Sequence, residues 1–161
     1  MDKKIVVGII FGVLVLLGGT VFLATRVSSS ANIETSNEAK VSLSETAWEW
    51  GEIGIKDGKV AKEFEIKNTG SDTLKLYNIA TSCMCTTAQF MDDDSHIFGM
   101  HTKSGYVKEV KAGESVKIKV LFDPLFHGPD GVGPISRQVT MMTNDSENSS
   151  LNFMLTATVR R

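Results

Sequence analysis

The alternation of apolar and polar residues after residue 44 is the feature that most limits how this chain can fold. Apolar side chains occupy every second position in segments 116–122 and 151–159, and most of the residues between them are polar. A two-residue period is typical of strands that have one buried and one solvated face. Turn signals such as Asp-Gly and Asn-Thr-Gly separate these segments. The pattern therefore predicts an all-β domain.

Seven segments of this kind follow one another without a convincing helical period between them. Their number and spacing predict an immunoglobulin-like seven-stranded β-sandwich. One N-terminal transmembrane helix is predicted to precede this sandwich, on separate evidence given below. The predicted strands are Ala47–Ile53, Val60–Asn68, Thr73–Thr81, Thr86–Phe90, Ser115–Asp123, Ser136–Thr143 and Leu151–Arg160.

The transmembrane prediction rests on Ile5–Ala24, a run that contains only apolar or small residues. A helix of this length spans about 30 Å, the thickness of a bilayer core. The apolar core of a cleavable signal peptide is shorter, at about 7–15 residues, so we expect an uncleaved anchor. Lys3 and Lys4 before the run and Arg26 after it weakly place the N-terminus in the cytoplasm.

This organisation has three parts. Residues 1–26 are predicted to be a cytoplasmic stub and anchor, residues 27–44 a flexible linker rich in Ser, Asn and Glu, and residues 45–161 the sandwich. We expect the chain to be a single-pass protein of the cell membrane, with its C-terminal domain outside the cytoplasm. The net charge of −2 lacks the basic excess of nucleic-acid-binding proteins, so no nucleic-acid partner is expected.

A group of motifs in the body carries a family resemblance. Asn68-Thr69-Gly70 is followed by Ser82-Cys83-Met84-Cys85-Thr86 and later by Thr143-Asn144-Asp145. In this order the motifs resemble a bacterial immunoglobulin-like family of unknown function that has a Ser-Cys-x-Cys-Thr motif. That family is related to ASH, PapD and major sperm protein-like domains. The resemblance implies an exported or surface-anchored domain and no enzymatic activity, although Met84 replaces the usual Gly.

Cys83 and Cys85 are the residues most suited to chemistry. On an extended strand their Cα atoms would lie about 6.6 Å apart, at the limit for a disulfide, so a disulfide would require a bend in the chain. Two neighbouring thiolates can instead bind a soft metal ion such as Cu(I), with a thioether or imidazole as a further donor. The sequence leaves open whether the cysteines are free, bonded to each other or bound to a metal.

The further donors are expected from the long loop after the motif and from a second Gly-rich stretch. Loops of this length are usually functional or disordered. The predicted metal ligands are Cys83 and Cys85, completed by Met100 or His101, with Met84, His96 and His127 as further candidates.

Three classes of function compete for this domain. The leading prediction is a non-catalytic binding module that binds copper(I) at the Cys-Met-Cys motif. The alternative is a protein–protein interaction or structural module of the cell envelope, which would bind a partner by strand addition at a sheet edge and have structural cysteines. A thiol enzyme is the least favoured class, although His101 or His127 with Arg137 could activate a cysteine, because no established catalytic motif is present.

Overall fold

The alternating segments form strands, as the sequence predicts. The structure is a computed structural model that describes residues 33–101 and 105–161, and within them it contains nine strands and no helix. The strands are β1 (Val41–Leu43), β2 (Ala47–Gly54), β3 (Val60–Asn68), β4 (Leu74–Thr81), β5 (Thr86–Phe90), β6 (Val107–Val110), β7 (Ser115–Phe122), β8 (Gly133–Thr143) and β9 (Ser150–Arg160).

These strands form two sheets that enclose one interior. The order is β1-β3-β7-β5 in the four-stranded sheet and β2-β9-β8-β4-β6 in the five-stranded sheet. All neighbours are antiparallel except β2 and β9, which are parallel. The all-β, two-sheet architecture is therefore confirmed, whereas the count of seven strands was wrong.

The core consists of the apolar side chains on the inner faces. Val116, Ile118 and Val120 of β7 are all buried, and the lysines between them lie outside. Phe64 of β3 contacts Phe153 of β9 between the two sheets, with ring centroids 4.7 Å apart. Burial of these alternating side chains is the main force that holds the sheets together.

The domain begins earlier than the sequence predicted. Part of the predicted linker is β1, whose residues pair with the end of β3 from Val41↔Asn68 to Leu43↔Ile66. Ala39 is completely buried in the core. The polar composition of this stretch gave no alternating apolar pattern from which β1 could be predicted. Its strand structure depends instead on pairing with β3, which is distant in sequence. The start of the linker and the predicted anchor over Ile5–Ala24 lie outside the described residues.

Three buried polar residues, which we call the polar clasp, hold this N-terminal segment. They are Asn68, Asn144 and Asp145. Asp145 accepts hydrogen bonds from the backbone N–H groups of Val41 (3.0 Å) and Glu147 (2.9 Å). Asn68 and Asn144 likewise bond the backbone of neighbouring strands and turns. The Asn-Thr-Gly and Thr-Asn-Asp motifs therefore have a structural role at this end of the sandwich.

The described residues contain no helix that is long and apolar enough to cross a membrane.

Candidate functional site

The two cysteines lie in a tight turn at the end of the sandwich opposite the polar clasp. Residues 82–85, which we call the cysteine turn, connect the end of β4 to the start of β5. The backbone bends there, because the N–H of Thr86 donates to the carbonyl of Cys83 at 3.1 Å. The Cα atoms of Cys83 and Cys85 are 5.2 Å apart and their sulfur atoms are joined in a disulfide. The bend that a C-x-C disulfide requires is thus present.

Two threonines and a serine fix the shape of the cysteine turn. The buried hydroxyl of Thr81 lies 3.0 Å from the carbonyl oxygen of Cys83 and 2.9 Å from that of Thr86. Ser82 binds the backbone of Gln138 twice, through its N–H and its hydroxyl, each at 2.9 Å. The turn is therefore attached to β8 at the position next to Arg137.

Arg137 interacts with one of the two sulfur atoms. Its Nε donates a hydrogen bond to Sγ of Cys85 at 3.0 Å, and its guanidinium carbon lies 5.5 Å from the ring centroid of Phe122. Partial burial lowers the pKa of Arg137 from its ordinary value of 12.5. A guanidinium still remains protonated near neutral pH, so the group is a fixed positive charge beside Cys85.

His127 approaches the other sulfur atom from the β7–β8 connection. Its Nε2 lies 3.5 Å from Sγ of Cys83, and its ring contacts Phe126 edge-on. The ligand atoms of Cys83, Cys85 and His127 all lie within 4.8 Å of one another. No other group of three or more His, Cys, Asp or Glu side chains with this spacing occurs in residues 33–101 and 105–161. Of the five predicted cysteine and histidine ligands, the structure therefore brings three together.

The other predicted donors have different surroundings. His96 belongs to a separate polar cluster, where its Nδ1 lies 2.9 Å from a carboxylate oxygen of Asp93. The hydroxyl of Tyr106 donates to the same oxygen at 3.0 Å. Hydrogen bonds from Ser95, Tyr106 and His96 lower the pKa of Asp93 well below its ordinary value. His96 thus stabilises the loop in which it lies.

Met84, Met100 and His101 have exposed side chains. His101 does not join Cys83 and Cys85 in a group of metal-ligand spacing among the described residues. The loop itself is attached to the core, since Phe98 is buried and its backbone forms a bridge with Ala88 of β5. The imidazole that groups with the two cysteines is that of His127, from the β7–β8 connection, and Met100 or His101 as a metal ligand stays a prediction.

A small cavity opens next to the cysteine turn. Its volume is about 210 Å³, and its lining includes Met84, Cys85, Leu121 and Phe126. Met84 and Phe126 are also exposed to solvent. The surface beside the disulfide is thus partly apolar and open.

The family resemblance is tested by comparison with known proteins. Residues 41–97 match the family described as "Protein of unknown function (DUF1573)". The resemblance to a family of unknown function is confirmed. The matched DUF1573 segment runs from β1 past β5 and contains both cysteines of the turn. A comparison with curated proteins finds no significant match.

Solved structures show the same fold at low sequence identity. A protein of unknown function from Porphyromonas gingivalis W83 is 18% identical, with a TM-score of 0.58 over 83% of this chain, and this chain spans 50% of that protein. The ASH/PapD-like domain 7 of human CEP192 is 14% identical, with a TM-score of 0.50 over 84% of this chain and 96% of that domain. A family 123 glycoside hydrolase from Clostridium perfringens is 9% identical, with a TM-score of 0.53 over 76% of this chain and 27% of that enzyme.

These likenesses confirm an immunoglobulin-like, PapD-like sandwich. Such a fold is suited to a binding or structural module, but proteins with very different functions share it, so function has to be argued from the site.

Proposed function

We propose that this protein is a membrane-anchored, extracytoplasmic and non-catalytic binding module that binds Cu(I) when the cysteine turn is reduced. The observation that carries this proposal is the grouping of Cys83, Cys85 and His127, whose ligand atoms lie within 4.8 Å of one another. Two of these residues are neighbours in a turn, whereas the third comes from a connection far along the chain.

The three donors fit the chemistry of a soft ion. Sulfur and imidazole ligands bind at about 2.3 Å and about 2.0 Å from a metal such as zinc, so donors around one ion lie roughly 3.5–4 Å apart. Once the disulfide is reduced, the sulfur atoms need to separate only to this distance. Thiolate ligands select Cu(I), and imidazole also suits copper.

Charge and ligand number favour Cu(I) over Zn²⁺ at this site. A structural zinc ion takes four protein ligands, whereas only three His, Cys, Asp or Glu side chains group together in the described part of the chain. Cu(I) with two thiolates carries one net negative charge. Arg137, whose Nε lies 3.0 Å from Cys85 Sγ, supplies the compensating positive charge.

The proposed location rests on the sequence and on the disulfide. The apolar run Ile5–Ala24 has the length of a membrane-spanning helix, and its flanking charges favour an N-terminus in the cytoplasm. Disulfides persist mainly in oxidising compartments outside the cytoplasm. The Cys83–Cys85 bond therefore supports an extracytoplasmic domain.

A Cu(I) competition titration tests the metal site. The full chain, reduced and kept in detergent under anaerobic conditions, would compete with a chromophoric Cu(I) chelator. We expect one equivalent of Cu(I) to bind, and we expect the Cys83→Ser/Cys85→Ser variant to lose this binding. His127→Gln should weaken binding by at least about tenfold, since losing even an outer partner of a metal ligand costs about 10–100-fold.

His101→Gln and His96→Gln are the matched controls, because each removes one imidazole outside the group. Neither should change the affinity. Absence of binding, or equal binding by the double serine variant, would refute the metal site. A loss in His101→Gln without a loss in His127→Gln would refute the assignment of the third ligand.

A second candidate function is the binding of an extended peptide at a sheet edge. The observation that favours it is the strand order, which leaves β6 at one edge of the five-stranded sheet with β4 as its neighbour. Peptides bind such edges by adding a strand. This function would use the cysteines only to shape the turn between β4 and β5.

Proline substitutions separate the two candidates. Successive N–H groups alternate in direction along a strand, so only one of the two residues Lys108 and Glu109 has an N–H that points away from β4. Of Lys108→Pro and Glu109→Pro, one variant therefore removes an outward N–H. If the domain acts by strand addition, the Cys83→Ser/Cys85→Ser variant should still capture an envelope protein. One of the two proline variants should fail to capture the same protein. Equal capture by both proline variants would refute the edge mechanism.

A further inference from the structure

The two sulfur atoms of the cysteine turn have different surroundings. Cys85 is only 3% exposed, and its Sγ accepts the hydrogen bond from Arg137. Cys83 is partly exposed, and its Sγ lies 3.5 Å from Nε2 of the exposed His127. Cys83 is therefore the more exposed of the two cysteines, whereas Cys85 is buried and its sulfur lies next to a fixed positive charge.

This asymmetry matters for thiol–disulfide exchange. In such a reaction a thiolate attacks one sulfur and the other sulfur leaves as a thiolate, so the outcome depends on which sulfur is accessible and which one best holds negative charge. At the cysteine turn these two requirements select different residues. Cys83 meets the first and Cys85 meets the second.

We propose that the Cys83–Cys85 disulfide is a directional exchange site, which an external dithiol attacks at Cys83 and which releases Cys85 as a thiolate beside Arg137. Arg137 is a positioning residue in this scheme, since it holds the charge of the leaving sulfur. A disulfide within three residues adds little loop-closure entropy, so stabilisation of the fold is a weak reason for its presence.

The reaction balances as a two-electron transfer. A thiolate of the dithiol bonds to Sγ of Cys83, the Cys83–Cys85 bond breaks, and its electron pair stays on Sγ of Cys85. The second thiolate of the dithiol then attacks the dithiol sulfur that is bonded to Cys83. This step forms the disulfide of the oxidised dithiol and releases Cys83 as a thiolate. The protein gains two electrons and, at equilibrium with solvent, two protons, while the dithiol becomes a disulfide. One dithiol reduces one protein molecule, so no turnover is required.

This exchange would prepare the thiolates that the proposed copper site needs, but it does not depend on that function. It can be measured with no metal present and with a chelator in the buffer. A protein that exchanges directionally and fails to bind Cu(I) would refute only the proposed function. A protein that binds Cu(I) and exchanges without preference would refute only the present inference.

The site of attack is the first test. The oxidised full chain would be mixed briefly with reduced glutathione, quenched with acid and labelled with N-ethylmaleimide, and tandem mass spectrometry would then locate the glutathione. We expect glutathione on Cys83 and N-ethylmaleimide on Cys85 in the large majority of mixed-disulfide molecules. Equal distribution, or glutathione mainly on Cys85, would overturn the proposal.

The role of Arg137 is the second test. We expect Arg137→Gln to slow reduction by dithiothreitol by about tenfold, because a hydrogen bond to a charged group is lost as the sulfur leaves. Arg137→Lys should restore part of the rate, since a lysine keeps the charge. Lys117→Gln is the matched control, as it removes a positive charge from the exposed face of β7, and it should leave the rate unchanged.

Thermal unfolding of the oxidised variants separates this role from a structural one. A purely structural role predicts that Arg137→Gln and Arg137→Lys lose stability together and that glutathione attaches to either sulfur once the turn loosens. A positioning role predicts slower reduction with attack still at Cys83. An unchanged rate in Arg137→Gln would overturn the assignment of Arg137.

Discussion

The two ends of the sandwich use side-chain hydrogen bonds for different purposes. At one end, Asp145 and Asn68 are completely buried, and their side-chain polar atoms are occupied by neighbouring backbone groups. At the other end, the buried Thr81 and the exposed Ser82 fix the turn that contains the sulfur pair. Polar residues at the first end close the fold, and at the second they support an accessible site. We therefore expect substitutions at the polar clasp to affect mainly the stability of the fold, and substitutions at the cysteine turn to affect mainly the sulfur site.

The largest expected effect is at the polar clasp. Asp145→Ala removes the buried acceptor of hydrogen bonds from Val41, Glu147 and Asn148, and the N–H of the half-buried Val41 loses its partner. Each such loss costs about 1–3 kcal/mol, so we expect the free energy of unfolding to fall by roughly 3 kcal/mol. Urea unfolding followed by fluorescence measures the change. Glu147→Ala, which removes the same charge from an exposed side chain, is the control and should have a much smaller effect.

Close packing at the clasp gives the next largest effect. A Cβ atom on Gly70 would overlap the backbone carbonyl of Glu38, so the segment before β1 would have to move. Overpacking of this kind costs about 1–3 kcal/mol, and we expect Gly70→Ala to destabilise the domain by this amount. Gly99→Ala meets nothing within 4 Å and should change stability by less than about 0.5 kcal/mol. Equal unfolding midpoints for the two variants would contradict the close approach.

The clasp should also contribute to the pH dependence of stability. Burial raises the pKa of Asp145, but hydrogen bonds from Val41, Glu147 and Asn148 outweigh burial and leave the pKa below its ordinary value. A carboxylate with a lowered pKa in the folded state stabilises the fold above its unfolded pKa of about 4, and this contribution is lost as the pH falls through the folded value. We therefore expect the stability difference between the native chain and Asp145→Asn to shrink below about pH 4.

Urea unfolding at several pH values measures this difference directly. Other carboxylates titrate equally in both proteins, so they cancel in the comparison. A difference that stays constant down to pH 2 would show that the charge of Asp145 makes no contribution.

The smallest effect on stability is expected at the cysteine end. His127 is exposed, and the contacts of its ring are limited to Phe126 and Cys83 among the described aromatic pairs and hydrogen bonds. His127→Gln should change the free energy of unfolding by less than about 0.5 kcal/mol, measured by thermal melting, while it weakens Cu(I) binding. A loss as large as that of Gly70→Ala would instead make His127 part of the fold, and the contrast between the two ends would disappear.

Much of the fold could be predicted from the sequence, because a strand with one buried face needs an apolar side chain at every second position. The strand predicted over Ser115–Asp123 matches β7, which ends one residue earlier at Phe122. The two missed strands, β1 and β6, are three and four residues long. A segment that short cannot display a period, and its strand structure depends on the neighbour with which it pairs.

The candidate site could be predicted only in part. The C-x-C spacing identified Cys83 and Cys85, since adjacent thiols are close in any conformation. The same reasoning favoured His101 and Met100, which follow soon after in the chain, over His127. Proximity in the fold depends on which strand ends meet, and the β7–β8 connection brings His127 to the cysteines. The loop also returns to this end, where the carbonyl of Gly99 accepts from the N–H of Thr81 at 2.9 Å, but His101 does not join the group of ligand spacing.

Most strands, the turn positions and the presence of a sulfur pair were predictable from the sequence alone, because these depend on local conformation and on side-chain period. That Ala39 and β1 belong to the sandwich, that His127 and Arg137 approach different sulfur atoms, and that Cys85 is enclosed became evident only from the folded domain. These features arise from contacts between residues 23 to 104 positions apart, for which the chain carries no periodic signal.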